Sequence, residues 1–122
     1  MSRSAPNGAP ENFTGIGMSA NTIELQWRPP VRAMRNGDIL VYEIRYQKVG
    51  SSRDIFVNET GLSHAFQDLE KDTDYLFDIR AYTTKGAGPW SIKVPVHTYG
   101  RGKWMPSFTV LDKCMHINVY KY

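Results

Sequence analysis

Three histidines and one cysteine are the residues of this chain best suited to acid–base, nucleophilic or metal chemistry. Such chemistry needs convergent groups, and His64, His97 and His116 fall in different predicted elements with no serine or cysteine motif beside them. A nucleophile elbow requires G-x-S-x-G, which is absent. Cys114-Met115-His116 places a thiol near an imidazole, but no second pair stands at zinc-ligand spacing, and the triplet reads as a chance pair. Asp68, Glu70, Asp72 and Asp74 form an acidic run that could attract calcium. The glycine and distal glutamate of an EF-hand loop are missing, so the run is expected to be a solvated corner between strands. Gly86-Ala87-Gly88 leads into a strand rather than a helix N-terminus, which removes the phosphate-loop reading. No catalytic, cofactor or metal residues are assigned, and no enzyme is expected.

Two other kinds of residue carry more information. Asn12-Phe13-Thr14 and Asn58-Glu59-Thr60 are both N-x-[ST] sequons, so Asn12 and Asn58 are the expected glycosylation sites of an extracellular chain. Arg28, Arg32 and Arg35 lie in the connection 28–39, and Lys85 in the loop 84–89 expected at the same end of the molecule. Together they are the candidate binding residues, facing an acidic protein surface or a sulfated glycan.

The charge totals limit the partners. Residues 1–98 hold 11 Lys+Arg and 11 Asp+Glu, while Arg101, Lys103, Lys113 and Lys121 stand against Asp112 alone. The whole excess of +3 therefore lies in the last residues, and the body lacks the concentrated positive face that phosphate backbones require. Nucleic acid is not an expected partner. No apolar run is long enough to span a bilayer, and the first residues lack the apolar stretch of a secretory leader. A single cysteine allows no disulfide within the chain, so packing alone must hold the fold.

The elements that must carry these residues read as strands. Ile23, Leu25 and Trp27 alternate with Thr22, Glu24 and Gln26; Tyr42, Ile44 and Tyr46 alternate with Glu43, Arg45 and Gln47. Tyr75, Phe77, Ile79 and Ala81 alternate with Leu76, Asp78, Arg80 and Tyr82, and Ile92, Val94 and Val96 with Lys93, Pro95 and His97. Period-two alternation buries one face and wets the other. Weaker strands are expected over 13–18, 55–58 and 64–66. Pro29-Pro30, Asn36-Gly37-Asp38, Gly50-Ser51-Ser52 and Gly61-Leu62-Ser63 supply the turns between them, and Pro95 predicts an edge position. Seven short strands at this spacing predict an all-β, seven-stranded antiparallel two-sheet sandwich. Its core should draw on Trp27, Tyr46, Phe77 and Ile79 with Leu25 and Ile44.

Several motifs in this order resemble the fibronectin type III family over about residues 5–99. They are Ala9-Pro10-Glu11-Asn12-Phe13, Trp27 followed by Pro29-Pro30, and Tyr42-Glu43-Ile44-Arg45-Tyr46. Leu69-Glu70-Lys71-Asp72-Thr73-Asp74-Tyr75 is similar to the family's L-x-P-x-T-x-Y corner, with Lys71 where proline is usual. Gly86-Ala87-Gly88-Pro89-Trp90-Ser91 completes the set. The resemblance implies an immunoglobulin-like sandwich in which Tyr75 is a tyrosine corner, its ring in the core beside Leu69 and its hydroxyl bonded to backbone upstream. The expected organisation is a flexible lead at 1–8, the domain at 9–99 and a poorly packed extension at 100–122. The implied function is a non-enzymatic adhesion, interaction or spacer module of a larger cell-surface or matrix protein, whose partners are proteins or neighbouring repeats. Two alternatives remain: an intracellular cytoskeletal or muscle-type module, and a cytokine-receptor-like ligand module. The second is weakened because Trp90-Ser91 has no second Trp-Ser pair and cysteines are not paired.

Overall fold

The computed structural model describes residues 5–100. Residues 101–122 of the expected extension at 100–122, with Cys114 and His116, and residues 1–4 of the expected lead lie outside them.

Two antiparallel sheets face each other. One holds β1 (Glu11–Gly17), β2 (Ile23–Arg28) and β5 (Ser63–Phe66), in the order β1-β2-β5. The other runs β4 (Ile55–Glu59), β3 (Val41–Lys48), β6 (Asp74–Thr83), and then β7 (Gly86–Ala87) and β8 (Val94–His97), which both pair with β6. Seven strand positions are thus filled by eight segments, because the last strand is broken in two.

The break has a local cause. Between β7 and β8, Ser91 takes over the pairing with β6: its amide donates to Ile79 O at 2.8 Å, and its Oγ accepts from Ile79 N at 3.1 Å. Pro89 has no amide hydrogen to donate to a ladder. The strand expected to include Ile92 therefore starts at Val94, and Ile92 points into solvent, 84% exposed. Pro95 does occupy an edge strand, where its missing donor costs the sheet nothing.

Alternation delivers the core. Ile23, Leu25 and Trp27 from β2 meet Tyr42 and Ile44 from β3 and Tyr75, Phe77, Ile79 and Ala81 from β6, all buried, with Phe66, Leu69 and Val96 closing the cluster. Tyr46 is half-buried and stacks on Phe77 with ring centroids 5.4 Å apart. Trp27 makes edge contacts with Phe13 at 6.3 Å and Tyr42 at 5.6 Å. Burial of this apolar surface is the main stabilising term, at about 1.5–3 kcal/mol per large side chain.

The first strand crosses close to the last at two glycines. A Cβ on Gly15 would lie 2.6 Å from a Val96 methyl, and one on Gly17 would lie 2.6 Å from the His97 carbonyl oxygen. Only glycine permits that approach.

The corner between β5 and β6 is held by side chains. Tyr75 is buried, and its hydroxyl accepts from Glu70 N at 2.9 Å. Asn21 clamps the same corner: its side-chain amide donates to Leu69 O at 2.7 Å, and its carbonyl accepts from Leu69 N at 3.0 Å. Thr98, fully buried, donates to Glu70 O and accepts from Thr73 N. Thr73 Oγ1 donates to Lys71 O at 2.7 Å, so hydrogen bonds brace the turn in which Lys71 replaces the usual proline. Tyr75→Phe leaves the ring in place and strips one partner from the Glu70 amide. We expect a loss of about 1–2 kcal/mol, read as a lower urea midpoint with an unchanged slope.

Residues 5–8, placed in the expected lead, lie against the domain. Pro6 is buried, Asn7 N donates to Met34 O at 2.7 Å, and Asn36 donates its side-chain amide to Ala5 O at 3.0 Å. At the opposite end of the strands, Tyr99 N donates to Ser19 O and Asp72 N to Tyr99 O. The described chain therefore enters at one end of the sandwich and leaves at the other.

Candidate functional site

Among the described residues, the two histidines are not brought together, and only His97 meets the acidic run. His64 sits on β5, where Nδ1 lies 2.8 Å from Glu59 Oε1 and the ring meets Phe66 edge-on. The bond to His64, then that from Gly61 N, holds the Glu59 carboxyl below its ordinary pKa. His97 sits at the far end on β8, bridging Asp74 at 2.6 Å through Nδ1 and Asp72 at 2.9 Å through Nε2. The acidic run is distributed among cations: Glu70 binds Lys48 Nζ at 3.0 Å, and Asp72 and Asp74 share His97.

Burial works to lower the His97 pKa, but the hydrogen bonds to Asp74 and Asp72 outweigh it and the net direction is up. A raised folded pKa means the stabilisation is complete below the unfolded value and disappears as pH rises through the folded one. We expect His97→Gln to lower Tm at pH 5.5 and to leave it unchanged at pH 9. An equal deficit at both pH values would show that packing, rather than charge, makes the difference.

The outer face of the larger sheet carries an arrangement that strand alternation alone does not reveal. Asp78, expected on the wet face, is only 2% exposed. The register puts Arg45 opposite Asp78 and Glu43 opposite Arg80. Arg45 donates to both carboxylate oxygens of Asp78, and Lys93 adds a second cation at 3.6 Å. Arg80 donates to Glu43, whose carboxylate also accepts from the Tyr82 hydroxyl. Trp90 lies within reach of both arginines, 4.1 Å from the Arg45 guanidinium carbon and 4.2 Å from that of Arg80. Its indole is thus bracketed by cations, an electrostatically favourable contact for each. The signal was present as alternating opposite charges on two strands, but reading it required the register.

The loop end gathers the candidate binding residues. β2 ends at Arg28, a single 3-10 turn spans Arg32–Met34, and Leu40 N donates to Tyr82 O, which brings the connection beside the loop holding Lys85. Arg28, Arg32 and Lys85 are exposed. Arg35 is half-buried and its Nε donates to Pro30 O at 2.8 Å, so it braces the loop. Val31, Met34 and Leu40 are also exposed on this connection, at 48%, 42% and 50%. Sequence reading found the cations and missed these apolar neighbours, because a loop has no periodicity to separate exposed from buried positions.

Both sequon asparagines are exposed. Asn58 lies on the edge strand β4. Asn12 lies where the β1–β2 register slips between Glu11 and Thr14, and it adopts a φ of 53°. Asparagine tolerates that left-handed conformation better than most residues. Beside it an open cleft of about 510 Å³ is lined by Asn12, Thr14, Gln26, Trp27, Arg28, Leu62 and Ser63.

Residues 8–97 match the family model of the fibronectin type III domain. The receptor-type tyrosine-protein phosphatase F of Rattus norvegicus is 41% identical over 95 residues, covering 77% of this chain and 5% of that protein. Tyrosine-protein phosphatase Lar of Drosophila melanogaster is 37% identical over 98 residues (76% and 5%), and neogenin of Homo sapiens 36% over 87 (69% and 6%). The chain thus spans about one twentieth of the length of these relatives. Among solved structures, the third fibronectin III domain of a human protein superposes with a TM-score of 0.70 at 22% identity, covering 87% of this chain and 91% of that one. A myokine structure superposes at 0.66 with 28% identity, covering 76% and 98%.

Proposed function

We propose that this chain, which belongs to the fibronectin type III family, is a non-enzymatic protein-interaction and spacer module on the extracellular side of a larger cell-surface protein. The observation that carries the reading is the loop end, where Val31, Met34 and Leu40 stand exposed among Arg28, Arg32 and Lys85. Apolar side chains beside cations suit a protein partner with a complementary acidic rim, since desolvated apolar contacts supply affinity and charge sets approach and register. Among the described residues, His64 and His97 lie toward opposite ends of the sandwich, each tied to carboxylates, which favours a binding role over catalysis for this chain. No helix among the described residues is long and apolar enough to cross a membrane. The receptor-type relatives favour the extracellular side, and glycosylation at Asn12 and Asn58 belongs to the same reading.

Binding of the module to cells is expected to fall about tenfold, or 1.4 kcal/mol, when Arg32→Glu and Lys85→Glu are combined, with Tm unchanged. Prior heparinase treatment separates the partners: unaltered binding supports a protein, and lost binding identifies a sulfated glycan. Equal binding by the charge-reversed variant removes the loop end from the interface. Glycopeptide mass spectrometry of the native protein tests the compartment, since both asparagines bare would favour a cytoskeletal module.

A further inference from the structure

We propose that the cleft on the outer face of the three-stranded sheet is a cradle for the first N-acetylglucosamine of a glycan carried by Asn12. This rests on the extracellular reading and adds to it a defined place for the sugar. Thr14, Gln26 and Ser63 are cross-strand partners on β1, β2 and β5, so their side chains share one face and form a polar row across the sheet. Leu62, 38% exposed, adds apolar surface to the same cleft. Hydroxyl and amide groups beside an apolar wall match an N-acetylhexosamine, which presents hydroxyls, an acetamido group and a C–H face. The volume of about 510 Å³ falls within the roughly 300–1,000 Å³ of small-molecule sites.

The attachment point is built toward this cleft. The register slip sets Asn12 in a left-handed conformation on the cleft wall, and among the described residues no hydrogen bond occupies its side-chain amide. Asn58 offers a contrast, because it lies on the edge strand β4 of the other sheet, away from this cleft. The two sequons therefore differ in kind: a sugar on Asn12 is held against the sheet, while one on Asn58 extends into solvent.

The full chain, secreted from cells behind an added leader and trimmed to one N-acetylglucosamine per site, tests the cradle. Asn12→Gly is the reference variant, since glycine keeps the positive φ while deleting the sequon. We expect nuclear Overhauser contacts from the Asn12 sugar to Gln26 and Leu62, and a Tm about 4 °C above that of Asn12→Gly. The Asn58 sugar should show no such contacts. A sugar on Asn12 without contacts or Tm gain overturns the cradle, as does an Asn12 left bare while Asn58 is glycosylated. Neither result touches the extracellular reading, which fails separately if native protein is bare at both sites.

Discussion

Trp27→Ala should cost about 3–5 kcal/mol, enough to unfold much of a domain whose total stability is on the order of 5–15 kcal/mol. The indole spans the gap between the sheets, touching Phe13 and Tyr42 edge-on, and is 2% exposed. Its removal deletes contacts on both sheets and leaves a cavity that rigid strands cannot close. Trp27→Phe should be far milder, because it retains an aromatic ring and surrenders no protein hydrogen bond: Trp27 Nε1 has none. Urea denaturation of both variants checks the pair. An alanine variant with a wild-type midpoint would falsify the placement of Trp27 at the centre of the core.

Asp78→Ala is expected to be the other severe substitution, with a loss of about 3 kcal/mol and a Tm lower by on the order of 15 °C. The cost arises from what remains. Arg45 loses a two-pronged acceptor and Lys93 its nearest carboxylate, while the cationic bracket around Trp90 keeps its charge without the anion that anchors it. Replacing both partners together, as Arg45→Met with Asp78→Leu, should recover much of the loss, since a well-packed apolar pair is no worse than a buried ion pair. If the double variant is as unstable as the single one, the site is held by shape and not by charge.

Much of the fold was readable because burial on one face leaves a period of two in the sequence. Ile23-Leu25-Trp27 and Tyr75-Phe77-Ile79-Ala81 are positions where alternation and burial coincide. The reading failed where a side chain's environment depends on a neighbouring strand. Asp78 has the phase of a solvated residue and yet is covered, because Arg45, Lys93 and Trp90 arrive from other segments. Ile92 continues the phase of Val94 and Val96, but Ser91 has already taken up the pairing with β6 and turned the chain outward. The candidate site was half legible: charge marks Arg28, Arg32 and Lys85, while Arg35 is spent on Pro30 O and the exposed apolar residues of the loop follow no period. Nothing in Gly15 or Gly17 announces that β1 passes within contact distance of β8.

Because residues 5–8 are fastened at one end of the sandwich and Tyr99 at the other, tension applied between them runs nearly along the strands. The ladder bonds of an antiparallel sheet stand perpendicular to the strands. Such a pull must shear many of them at once, whereas a sideways pull would peel them singly. The anchored entry and exit thus make the fold stiff along the line that joins them and weak across it.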